Sequence, residues 1–142
     1  MNISSEYIQW KLGLLTRNDI VDIADKHIST HDYNNDPRII DISVSMNEDD
    51  YSFEKLVLQF VGGVDKGVVL KLVRDKLKGA DIEDLKVFLP KLHAAICDWG
   101  MGPELDEVYW RLDHYINECL ENGWVSEDRV LQFVHEWCKK SA

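Results

Sequence analysis

Between Ile82 and Ile96 the apolar residues Ile82, Leu85, Leu89, Leu92 and Ile96 fall alternately three and four positions apart. That spacing is the signature of a helix with one buried stripe, because about 3.6 residues complete each turn. Pro90 sits inside the run and leaves its phase intact, so the pattern predicts one helix kinked at the proline rather than two. Asp81 precedes the run, where its carboxylate can cap the first backbone N–H groups.

The same grammar recurs along the chain. A first helix is expected from Ser4 or Ser5 to about Leu15, with Ile8, Leu12 and Leu15 on one stripe. Thr16, with Asp19 three residues on, caps a second helix whose inner face carries Ile20, Ile23, Ala24 and His27 or Ile28. Residues 29–38, STHDYNNDPR, read as a loop. Residues 39–46 are ambiguous. Ile40, Ile42, Val44 and Met46 alternate like a strand, yet Asp36-Pro37 is a good helix start and no partner strand is evident, which favours a short helix. NEDDYS, residues 47–52, reads as a polar loop or cap, and SFEKLVLQFVGG as a helix stopped by paired glycines.

Asp65 opens a further helix that ends at Gly79, with Val69, Leu72, Val73 and Leu77 inward. Gly100-Met101-Gly102-Pro103 breaks the chain before a helix over residues 103–121, after which Gly123 suits a left-handed terminus. Ser126 caps the last helix, with Val130, Phe133, Val134 and Trp137 inward. The expected fold is all-α: a single domain over 1–142, either an irregular bundle or stacked helical hairpins of about seven helices.

Acids outnumber bases by 26 to 16, a formal net charge of −10, which repels phosphate backbones and anionic membranes and favours a basic partner. No apolar run approaches the ~20 residues that span a bilayer. The opening MNISSEYIQWK shows no basic segment followed by an apolar run, so no secretory leader is expected. The three cysteines, an odd number, are expected as free thiols in a reducing cytoplasm.

Each cysteine follows a histidine at short range. His93/Cys97 and His135/Cys138 share a helix face and could each chelate a metal. His114 and Cys119 stand five apart, about 140° around a regular helix, too far to meet. No spacing matches a zinc hook, and no metal or other cofactor is expected. HEWCK lacks the second histidine of H-E-x-x-H, and GGVDKG lacks the lysine of a phosphate loop. Asp113 and His114, adjacent in sequence, diverge on a helix, and Cys97 shows no partner base. The helix-turn-helix rhythm of residues 11–28 carries Asp19, Asp22 and Asp25 where a DNA reader needs donors, so nucleic acid is discounted. These absences favour a protein that is not an enzyme.

One surface stands out. From Asp98 to Asp128 there are nine acids and one base, Arg111, whereas from Lys66 to Lys91 the bases lead by seven to four. With Leu105, Val108, Leu112, Ile116 and Cys119 turned inward, Trp110 points outward. Asp106, Glu107, Asp113, His114, Asn117 and Glu121 are expected around it. Asp98 and Trp99 before this helix and Trp124 after it extend the patch. A rigid aromatic anchor among steering carboxylates suits the capture of a cationic protein.

The segment YIQWKLGLLTRNDIVDIADKHI resembles the start of a family of small helical bacterial proteins. The pattern is an aromatic, a tryptophan, a Gly-Leu-Leu turn and an aliphatic-acid helix: Tyr7, Trp10, Gly13-Leu14-Leu15, then Asp19 to Ala24. It covers about the first 28 residues and, loosely, ELDEVYW at residues 104–110. Such small acidic proteins resemble immunity proteins, which neutralise toxins passed between competing bacteria. The resemblance implies an inhibitor of a basic toxin domain, such as a nuclease, and transfers no site residue. The alternative is a helical adaptor or regulatory subunit for an ordinary cellular partner.

Overall fold

The computed structural model describes residues 1–31 and 36–140. Among them are eight α-helices, one π-helical segment and no strand, so the fold is all-α. Of the expected loop over 29–38, residues 32–35 lie outside the described residues, and Ser29 and Thr30 belong to the preceding helix. The chain forms two compact units, residues 1–64 and 65–142.

The first unit holds α1 (Ser4–Lys11), α2 (Arg17–Thr30), α3 (Pro37–Ser43) and α4 (Asp50–Leu58). α1 stops a turn earlier than its apolar stripe suggests. Gly13 takes a left-handed backbone (φ 76°), its N–H bonds the Trp10 carbonyl, and the Leu14 N–H reaches back to Gln9. That bonding pattern satisfies the last helical carbonyls and turns the chain, leaving Leu15 half-buried beyond the helix. α2 starts where expected. The Thr16 hydroxyl accepts from the Asp19 N–H while the Asp19 carboxylate accepts from the Thr16 N–H, two otherwise unpaired donors satisfied reciprocally.

Residues 37–43 are helical, capped by Asp36 with Pro37 in the first turn. Ile39 and Ile42 point inward at helical spacing, which leaves Ile40 and Val44 exposed one turn apart. α4 begins at Asp50, within the stretch read as loop or cap, because the Asp49 carboxylate accepts from the Ser52 N–H. α1 and α4 are joined by side chains: the Tyr7 hydroxyl donates to Glu54 at 2.8 Å, and Trp10 meets Phe53 edge-on at 5.2 Å. Arg17 lies over the Phe53 ring, donates to Asp50 and donates to the Ser45 carbonyl. Phe53, Ile8, Ile42 and Val57 are fully buried, each worth about 1.5–3 kcal/mol.

The second unit holds α5 (Lys66–Lys78), α6 (Ile82–Trp99), α7 (Pro103–His114), the π segment (Tyr115–Leu120) and α8 (Glu127–Lys140). α6 runs unbroken through Pro90, as its phase requires, and carries a full capping box at Asp81 and Asp84. Gly100, in the left-handed region, ends it. α6 packs on α7, α5 on α8, and α7 on α8. The Ser126 hydroxyl accepts from the Arg129 N–H at the start of α8. Val69, Val73, Leu85, Leu92, Val108, Leu112 and Val130 form the fully buried centre.

The helix expected over residues 103–121 is α-helical only to His114 and then widens into the π segment. A π segment bonds five residues back rather than four, so it turns each residue through a smaller angle. The shift in register is invisible to a 3.6-residue wheel. The segment closes at Gly123 (φ 70°), where the Trp124 N–H donates to the Cys119 carbonyl at 2.8 Å.

Candidate protein-binding surface

The inward stripe of α7 is as the sequence reads. Leu105, Val108 and Leu112 are buried, and Ile116 and Cys119 continue that stripe through the π segment. This leaves Trp110 60% exposed. The ring is not loose. It meets the edge of Tyr109 at 5.1 Å and of His93, on α6, at 6.2 Å. His93 lies parallel to Tyr109 at 4.8 Å, so three rings from two helices form one platform with the indole at its outer edge. Aromatic pairs in edge-to-face and stacked contact hold such a platform at low conformational cost.

Carboxylates flank it. Asp106 and Asp113 are half-buried one turn either side of Trp110, and Glu107 is exposed. Asp113 accepts from the Asn117 amide at 2.6 Å, which keeps Asn117 on this side. Burial first, then the charges of Asp113 and Cys97, push the Tyr109 hydroxyl above its ordinary titration range. His114 is exposed and pairs with Glu118 at 2.9 Å. Among the described residues no lysine or arginine forms an ion pair with any of the nine acids from Asp98 to Asp128. The acids therefore dominate the field over α7, with Arg111 and Lys140 the bases that share the cleft with Glu104 and Glu107.

The outlying residues divide. Asp98 is exposed at the end of α6, but Trp99 is half-buried and does not present a second open indole face. Trp124 is 72% exposed in the turn after the π segment. Glu121 is exposed, but the widened turn offsets the wheel that placed it beside Trp110.

Two features here are not legible in the sequence. The first is the His93–Tyr109–Trp110 platform, which needs the pairing of α6 with α7. The second is a cleft of about 370 Å³ between α7 and α8. Glu104, Glu107 and Arg111 form one wall; Phe133, Glu136, Trp137 and Lys140 form the other. The Arg111 guanidinium lies 5.8 Å from the centre of the Phe133 ring. A faint signal existed: Glu104, Glu107 and Arg111 recur at helical spacing on one face.

The three His/Cys pairs fare differently. Cys97 is exposed with its sulfur 3.6 Å from His93 Nε2, so it does have a neighbouring base. His114 and Cys119, too far apart on a regular helix, meet at 3.4 Å because the π segment carries the thiol round to the imidazole. His135 faces solvent while Cys138 is buried, its thiol donating to the Arg74 carbonyl at 3.7 Å. Among the described residues no three His, Cys, Asp or Glu side chains are grouped to hold a metal ion. Nor is any helix there long and apolar enough to cross a membrane. Comparison with protein-family models, with curated proteins and with solved structures returns no match.

Proposed function

We propose that the chain is a non-enzymatic binding protein that captures a basic protein domain, in the manner of an immunity protein holding a bacterial toxin inactive. The observation that carries this reading is Trp110: an indole 60% exposed, braced by Tyr109 and His93, on a helix whose carboxylates form no ion pair with a lysine or arginine among the described residues. A braced aromatic ring fills a partner's pocket at little entropic cost. Asp106, Glu107 and Asp113 steer the approach and pair with the lysines and arginines a nuclease uses to hold phosphate. Inhibition follows by occlusion: the acidic face occupies the ground where nucleic acid would bind. Capture is fast at low salt and slows as salt screens the charges.

The test is affinity capture from the native host, with wild type and Trp110→Ala as paired baits and mass spectrometry of the proteins each retains. The expected result is a basic protein, encoded beside this chain, held by wild type and lost by the variant. A neutral partner retained equally by both baits would overturn the reading.

One observation favours the alternative of a helical adaptor. Ile40 on α3 and Val44 just past its end form an exposed apolar pair, 45% and 72% exposed, with Met46 two residues on. An adaptor needs two faces, and an exposed apolar group of this kind marks a contact surface.

A further inference from the structure

The π-helical segment Tyr115–Leu120 brings three reactive groups into line. His114 Nδ1 lies 2.9 Å from the Glu118 carboxylate, and His114 Nε2 lies 3.4 Å from Cys119 Sγ. A carboxylate only accepts, so Nδ1 carries a proton, and in the neutral ring Nε2 turns its lone pair to the thiol. The order is nucleophile, base and orienting acid, the arrangement that activates weak nucleophiles in general. It exists only because residues 115–120 are π-helical, a distortion found often at functional positions.

We infer that Cys119, with His114 as its base and Glu118 as the group that orients the base, is a site of oxidation by hydroperoxides. The choice of electrophile rests on size. Cys119 is 9% exposed, which favours a small reagent over an acyl or peptide substrate. Two donors, one nitrogen and one sulfur, are too few for a metal site, and among the described residues no group of three ligating side chains includes them.

In the step itself the Cys119 sulfur attacks one oxygen of the peroxide, forming the S–O bond as the O–O bond breaks. His114 takes the thiol proton and passes it to the departing hydroxide. The products are the sulfenic acid and water: sulfur loses two electrons and the peroxide gains them. The other thiols supply the contrast. Cys138 is buried against a backbone carbonyl, which cannot accept its proton. Cys97 has His93, but that ring is stacked on Tyr109 rather than held by a carboxylate.

The experiment treats the folded full-length chain with hydrogen peroxide for timed intervals, removes the peroxide, unfolds the protein in dimedone so that every sulfenic acid can be trapped, and maps the adduct on each cysteine by mass spectrometry. Cys119 is expected to be trapped at least tenfold faster than Cys138. The His114→Asn variant is expected to abolish that difference, and Glu118→Gln to slow Cys119 several-fold while leaving the Cys97 rate unchanged. A bulky maleimide is expected to modify exposed Cys97 before Cys119. In wild-type protein, where no variant can misfold, equal trapping at Cys119 and Cys138 overturns the inference. So does an unchanged Cys119 rate in folded His114→Asn.

Discussion

The His93 imidazole lies flat against the Tyr109 ring, centroids 4.8 Å apart and planes 8° from parallel. That stack ties α6 to α7 at the base of Trp110. Replacing His93 with Ala removes one of the two rings that brace the indole, without touching its exposed face. Partner affinity is expected to fall several-fold in His93→Ala, mainly through faster dissociation. Surface plasmon resonance against the captured partner reads this directly. An unchanged dissociation rate would show that the indole needs no brace.

Trp110 and Leu92 make opposite predictions. Trp110→Ala is expected to leave stability within about 0.5 kcal/mol, as exposed substitutions do, while costing roughly 2 kcal/mol or more of binding. Leu92 is wholly buried, and Leu92→Ala is expected to cost about 3 kcal/mol of folding stability by leaving a cavity. Urea unfolding of both variants separates the two roles. A Trp110→Ala variant that unfolds as readily as Leu92→Ala would place the indole in the core.

Pro90 is exposed and lies inside a helix that runs on through it. A proline there forfeits a backbone hydrogen bond and costs about 3 kcal/mol relative to alanine, partly offset by a stiffer unfolded chain. Pro90→Ala is therefore expected to raise stability by about 2 kcal/mol. At the start of the same helix the effect has the opposite sign: Asp81→Ala removes the cap and is expected to lower stability by about 1 kcal/mol. Both shifts are measurable as changes in urea midpoint.

Acid should loosen the first unit in a defined window. The Asp36 carboxyl titrates at about 2, below its ordinary 3.8, held first by the Arg38 side chain and then by the Arg38 backbone N–H. Asp19 is lowered by the Thr16 N–H and hydroxyl, and Asp49 by the Ser52 N–H and hydroxyl. Each favours the ionised form when folded, so the unfolded chain binds more protons. Their contribution is whole above pH 3.8 and is lost as pH falls from there towards 2. At the alkaline end Tyr109 holds its proton more tightly when folded, because burial disfavours its anion. Its contribution is whole below the ordinary value of 10 and is lost as pH rises through its higher folded value. Thermal melts across pH should show the acid decline, and Tyr109→Phe should blunt the alkaline one.

Helix starts were legible because they are local. Thr16 with Asp19, Asp36 with Pro37, Asp81 with Asp84, and Ser126 all act within three residues. Helix ends were less so. Ile8, Leu12 and Leu15 share a phase, but the end of α1 is set by Gly13 adopting a positive φ, which overrides the stripe. The outward face of Trp110 follows from its position relative to Leu105, Val108 and Leu112. Its bracing does not, because His93 is seventeen residues away and arrives only when α6 packs on α7. The meeting of His114 with Cys119 was hidden for a third reason: a hydrogen-bond register has no residue code of its own.

That register has a consequence for how the chain tolerates change. Substitutions along residues 115–120 alter side chains but leave the spacing intact. Losing a single residue there would instead let the segment relax to ordinary helical pitch, rotating the later residues by about 100° per position. The imidazole and the sulfur would then face different directions though both were still present. At this point in the molecule, counting matters more than spelling.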